Sequence, residues 1–188
     1  MSRKQISLTA LLFSALLLLA SCSSSEKLSQ ATVEELKPCN LIDTGLTVQP
    51  GEKSDLTLQC LDGSGEVNFG AIRGPAVIPV WASWCTNCKS QIPTFQRLEK
   101  EGKNKVHIIG VDVEEGSIEK GQNFARENGL RWPHLFDPDG RSVPLFGPGV
   151  PVTLFINEAG EITYQKIGAI REYEEMKTLI QKYLKVSI

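Results

Sequence analysis

Two cysteines three positions apart, Cys85 and Cys88, follow directly on a long apolar run and constrain this chain more than anything else in it. The run Ala76-Val77-Ile78-Pro79-Val80-Trp81-Ala82 reads as a strand buried on both faces. The stretch from Lys89 to about Lys100 sets Ile92, Phe95 and Leu98 on one face of a helix, which Pro93 is expected to kink. A Cys-x-x-Cys at such a junction puts both thiols on the first helical turn, where they can close a small disulfide ring. The positive end of the helix dipole and its unpaired N–H groups stabilise a thiolate there. Cys85 is then the nucleophile, and Cys88, one turn further in, the resolving thiol. Exchange proceeds by thiolate attack and a mixed disulfide that the second cysteine resolves. The couple is the Cys85–Cys88 disulfide itself, with no separate cofactor. The competing reading is half a zinc site. It needs two further ligands at suitable spacing, and there is no second Cys-x-x-Cys, only the isolated His107 and His134. No metal site is therefore predicted.

Around this junction the pattern alternates between strands and helices. Leu56 to Leu61 alternates apolar and polar residues, Asp62-Gly63-Ser64-Gly65 is a turn, and Glu66 to Phe69 is a second short strand, which together predict a hairpin. Val106 to Val113 reads as another buried strand. Ser117 to Asn128 reads as a helix stopped by Gly129. Val152 to Ile156 and Ile162 to Ile167 flank the turn Asn157-Glu158-Ala159-Gly160, and Arg171 to Leu184 is a final amphipathic helix. The predicted class is α/β: a central mixed sheet flanked by helices, with an N-terminal β-hairpin extension. A Cys-x-x-Cys in this setting reads as a thioredoxin-like redox motif. Trp84, flanking the nucleophile, is a candidate for the docking surface, with simple packing as its alternative.

A net charge of −2 with no basic block sets nucleic acid aside as a partner, and 41% hydrophobic residues suffice for a core. At the N-terminus Arg3 and Lys4 precede an apolar stretch from Ile6 to Ala20, the pattern of a secretory signal. Leu19-Ala20-Ser21-Cys22 resembles a bacterial lipoprotein signal, with Cys22 lipidated; an ordinary cleaved signal or an uncleaved anchor is the alternative. The expected organisation is a signal peptide at 1–21, a polar lipidated tether at 22–45 and the domain at 46–188. The expected location is the extracytoplasmic face of a bacterial membrane. Of five cysteines, a lipid on Cys22 and the redox pair leave Cys39 and Cys60. An oxidising compartment would join these two in a structural disulfide, the alternative being two buried free thiols.

Trp81-Ala-Ser-Trp-Cys-x-x-Cys-Lys, Pro93, Phe136-Asp137-Pro138-Asp139-Gly140-Arg141 and Gly149-Val150-Pro151-Val152-Thr153-Leu154-Phe155-Ile156 together resemble the TlpA/ResA/DsbE branch of the thioredoxin superfamily, over about residues 46–185. The resemblance implies that Pro151 has a cis peptide bond and sits beside the Cys-x-x-Cys, with the backbone of Val150 left to pair with an extended substrate chain. It also implies thiol–disulfide exchange with exported proteins and a membrane redox partner that reloads the pair. The role is that of a reductant of the cytochrome c maturation type or of an oxidative-folding factor. Two positions depart from the family: Pro79 stands where thioredoxins have a buried Asp, and Gln91 where the reductants of this branch have a Glu. Asn87 also replaces the usual Pro before the second cysteine. Loss of both carboxylates predicts an easily formed Cys85 thiolate and an oxidising couple, and Pro79 predicts a bulge in its strand. Two other functions compete. A thiol peroxidase needs a Thr-x-x-Cys setting with an activating Arg. A copper chaperone could use the soft thiolates but lacks an evident third ligand.

Overall fold

The computed structural model describes residues 35–45 and 56–188. Among them the chain forms β1 (Thr57–Cys60), β2 (Glu66–Asn68), β3 (Ala76–Trp81), α1 (Thr86–Lys89), α2 (Ile92–Glu101), β4 (His107–Ile108), β5 (Gly110–Val113), α3 (Ile118–Glu127), β6 (His134–Asp137), α4 (Val143–Phe146), β7 (Val152–Ile156), β8 (Ile162–Ile167) and α5 (Tyr173–Leu184). The strands make one sheet in the order β2-β1-β6-β5-β3-β7-β8, with β4 also paired to β3. β3, β5 and β6 are parallel, and β7 and β8 complete the sheet antiparallel. This is the mixed sheet with flanking helices that the sequence predicts, and the hairpin β1–β2 joins it through β6. No helix of the described residues is long and apolar enough to cross a membrane.

Every residue of β3 is buried. Its side chains alternate between two cores, as strand geometry requires. Val77 and Trp81 join Phe95, Phe124 and Met176 under the helices. Ile78 and Val80 join Leu58, Val111 and Leu154 on the other face.

Several elements differ from expectation. The strand expected over Val106–Val113 is two short strands, parted at Ile109. β3 pairs with β4 at Ala76 and Val77 and with β5 at Val80 and Trp81, so the interruption falls opposite Pro79. Ile109 N–H donates to Val77 O at 3.2 Å. The next bond along the ladder is the one Pro79 has no N–H to make. The irregularity thus appears in the partner strand, and β3 itself runs unbroken. Pro93 does not kink a helix: it lies in the first turn of α2, where a missing N–H costs nothing. The strand β6 and the short helix α4 have no counterpart in the predicted order.

Residues 35–45, expected at the end of the tether, lie against the domain. Leu36, Cys39 and Ile42 are buried. Lys37 N–H donates to Arg131 O at 3.1 Å, Arg73 N–H to Asp43 O at 2.8 Å and Gly45 N–H to Ala71 O at 3.0 Å. Cys39 is joined to Cys60 of β1 in a disulfide with Cα atoms 5.8 Å apart and 21 positions between them in sequence. Closing a loop of that length stabilises a folded chain by about 3 kcal/mol through the unfolded state. The double substitution Cys39→Ser, Cys60→Ser should lower the unfolding free energy by about that amount. Urea unfolding of the oxidised proteins measures it, and an unchanged midpoint would show that this bond contributes nothing to the fold.

Candidate active site

The chain leaves β3 at Trp81 and turns at once: Cys85 N–H donates to Ala82 O at 3.1 Å. Cys85 is the N-cap of α1, in extended conformation, and its Sγ accepts the N–H of Cys88 at 3.0 Å. The Ser, Thr, Asp or Asn oxygen usual at an N-cap is here a sulfur. The same contact that caps the helix stabilises negative charge on that sulfur. Cys85 and Cys88 are joined in a disulfide, with Cα atoms 5.3 Å apart. Cys85 is 5% exposed and Cys88 2%. Cys88 lies in the helix-side core.

The turn is held from the neighbouring loop between β5 and α3. Glu115, itself buried, accepts Ser83 N–H on Oε2 at 2.8 Å, and Glu114 O accepts Trp84 Nε1–H at 3.1 Å. The Trp84 ring is 56% exposed, so its indole is anchored by its polar edge while the apolar face meets solvent. Next to this clamp lies Asp112, opposite Trp81 in the β3–β5 register, fully buried, with no hydrogen-bond partner on either carboxylate oxygen. Gly121 of α3 makes room for it, since a Cβ there would collide with Asp112 Oδ2. Burial, and secondly the charge of Glu115, raise the Asp112 pKa from 3.8 to about 8.

These two acids lie at positions other than the two, 79 and 91, from which the absence of anions near the thiols is inferred. That absence holds only on the Cys88 side, where Pro79, Gln91, Phe95 and Trp132 border a cavity of about 20 Å³ that no carboxylate lines. On the Cys85 side Glu115 is bonded two residues from the nucleophile. The case for a strongly oxidising couple, resting on absent anions, loses its premise there. The signal was present in the sequence as an Asp inside an otherwise apolar strand followed by Glu-Glu, but nothing local tied it to Ser83.

The Val150–Pro151 peptide bond is cis. Pro151 leads into β7, whose Val152 pairs with Val80 near the end of β3, and Pro151 O accepts Gly168 N–H at 2.9 Å. Val150 packs partly buried against the core that contains Cys85 and Cys88. Gly149 holds a positive φ of 91° that favours glycine. Trp84, Cys85, Cys88, Val150 and Pro151 are thus gathered at one end of β3. Cys39 and Cys60 belong to the core on the other face. They come within ligand distance of Asp62, but their sulfurs are joined to each other. Cys22 lies outside the described residues. His134 is a buried core residue: Nδ1 accepts Trp81 Nε1–H at 3.3 Å, Nε2 faces Leu130 O at 3.2 Å, and burial lowers its pKa to about 4.

Residues 51–165 match the AhpC/TSA family. The chain belongs to that family. It is 28% identical over 123 residues to the thiol-disulfide oxidoreductase ResA of Bacillus thuringiensis, covering 64% of this chain and 68% of that one. It is 29% identical over 156 residues to the thiol:disulfide interchange protein DsbE of Escherichia coli, covering 79% and 80%. The thio-disulfide isomerase of Thermus thermophilus has a similar crystal structure, with a TM-score of 0.54 at 27% identity over 71% of this chain and 96% of that one. With Cys85–Cys88 as its redox-active pair, the chain is a thiol–disulfide oxidoreductase, similar to ResA and DsbE.

The Asp112 carboxyl generates a pH dependence with a definite sign. Its folded pKa of about 8 exceeds its ordinary value of 3.8. Its contribution to stability is therefore intact below about pH 4 and is lost as pH rises toward 8, by at most about 1.4 kcal/mol per pH unit. Asp112→Asn should remove this slope, so that the variant gains on the parent between pH 4 and pH 8 in urea unfolding. Parallel stability curves for the two proteins would show that Asp112 is not held protonated.

Proposed function

We propose that this chain is exported, anchored by a lipid on Cys22 to the extracytoplasmic face of a bacterial membrane, and exchanges disulfides with exported proteins. In this reading residues 1–21 are a signal peptide, a tether follows, and the thioredoxin-like domain carries the chemistry. The single observation behind the mechanism is the cap of α1: Cys85 Sγ receives the Cys88 N–H at 3.0 Å while bonded to the sulfur that must later release it.

In the reducing direction the Cys85 thiolate attacks a client disulfide, forming a Cys85–client bond and expelling one client thiolate. Cys88, as thiolate, then attacks Cys85 Sγ. The mixed disulfide breaks, the second client sulfur leaves as thiolate, and Cys85–Cys88 is re-formed, two electrons having passed to the client. Reversal of each step oxidises a client dithiol. The client lies as an extended segment against the Val150 backbone and Pro151, with the exposed face of Trp84 as its apolar contact. A membrane redox partner reloads the pair. Resemblance to ResA and DsbE supports a reductant of the cytochrome c maturation type, with oxidative folding of secreted proteins as the reverse use of the same site. Trapping thiols by alkylation in cells separates the two: a pair found mostly reduced is a reductant, and one found mostly oxidised an oxidant.

Cys85→Ser should abolish reduction of insulin by dithiothreitol through this protein, and Cys88→Ser should accumulate mixed disulfides with clients in cells. Non-reducing gels and mass spectrometry read the second result. A Cys88→Ser protein that captures no client through Cys85 would falsify the exchange role.

A further inference from the structure

Arg171, in the loop before α5, is seated on the first turn of the Cys85–Cys88 helix. Its Nε donates to Ser90 Oγ at 3.0 Å, and its Nη2 reaches Asn87 Oδ1, between the two cysteines, at 3.5 Å. Ser90 Oγ in turn donates to Asn87 O at 2.7 Å. The backbone of the segment is fixed to the same helices. Gln91 Oε1 accepts Ile170 N–H at 3.3 Å, and Thr94 Oγ1 donates to Arg171 O at 2.5 Å. Four side chains between positions 87 and 94 therefore build one seat for this arginine.

Both oxygens that receive the guanidinium are neutral. Among the described residues no carboxylate lies within ion-pair distance of Arg171. Its side chain is exposed. The charge is thus held in place against Asn87, the residue before Cys88, without being neutralised, and the remaining N–H donors form a fork that matches a carboxylate.

We infer that Arg171 is a specificity residue of the exchange reaction, selecting client segments that carry an Asp or Glu beside the reacting cysteine. The inference rests on the exchange role proposed above and names a class of client for the same site. A carboxylate next to the client sulfur comes to Arg171 when that sulfur meets Cys85. A lysine there is repelled. Because the contact is open to water, the discrimination is modest and screened by salt.

The test uses the full-length chain and two peptides, each closed by an internal disulfide and identical except for Asp or Lys next to the attacked cysteine. The rate ratio between the two peptides is read for each protein, so differences in the folded fraction cancel. The parent should reduce the Asp peptide about three- to fivefold faster at low salt, with the preference fading at high salt. Arg171→Gln should bring the ratio to about one, Arg171→Lys should retain part of it, and Arg171→Glu should invert it. A parent that reduces both peptides equally, or an Arg171→Gln ratio equal to the parent's, overturns this inference and leaves the exchange role standing. A parent that reduces neither peptide overturns both.

Discussion

Two bonds from one loop hold the turn on which the chemistry stands. β3 ends at Trp81, and α1 has only four residues, too few to keep its own shape. Between them, Ser83 is fixed through Glu115 and Trp84 through Glu114. That loop arrives at the right height because β5 is in register with β3, Val111 against Val80 and Asp112 against Trp81. The clamp has an electrostatic cost, since a carboxylate two residues from Cys85 opposes ionisation of a sulfur that must be a thiolate to react. The Cys88 N–H at the sulfur and the unpaired guanidinium of Arg171 beyond Asn87 work in the other direction.

The parts of the fold legible in the sequence are those whose signal is local and long. β3 is six apolar residues ended by a Cys-x-x-Cys, and β7 and β8 flank an evident turn. β6 escapes because it is four residues, His-Leu-Phe-Asp, between Pro133 and Pro138, and two of them are polar. They are tolerated in a buried strand only through tertiary partners. His134 is taken by Trp81 and Leu130, while Asp137 accepts Arg141 N–H, Ser142 N–H and Ser142 Oγ–H. The same distinction separates Cys85 and Cys88, visible as a motif, from Glu115 and Arg171, whose roles come from contacts 32 and 81 positions away in sequence.

Both departures from the family pattern now have a physical setting. Pro79 takes the position of a buried acid and faces the gap between β4 and β5, where Ile78 and Pro79 have no partner, while β7 pairs both on the other side. Gln91 accepts the Ile170 N–H that orients Arg171. A glutamate could accept the same bond, but it would bring a charge to the apolar cavity behind Cys88, at a desolvation cost the amide avoids. No carboxylate lines the cavity behind the resolving thiol, and Glu115 is bonded to Ser83 on the nucleophile's side, so the two sulfurs lie in different surroundings.

That separation extends to the second disulfide. An oxidoreductase with a spare disulfide of its own risks exchanging with itself, because a thiolate attacks any sulfur it can reach in line. Here the sheet stands between the two. Cys85 and Cys88 sit in the core beneath the helices, with Val77 and Trp81, whereas Cys39 and Cys60 sit in the core on the other face, with Ile78 and Val80. The two faces that alternate along β3 therefore keep the two disulfides in separate cores. Cys39 and Cys60 are buried, and Cys39 belongs to the arm at 35–45, which is bonded to the domain through Lys37, Asp43 and Gly45. The Cys85–Cys88 pair sits past the end of β3, where the chain must turn into α1, whereas Cys60 belongs to β1 itself.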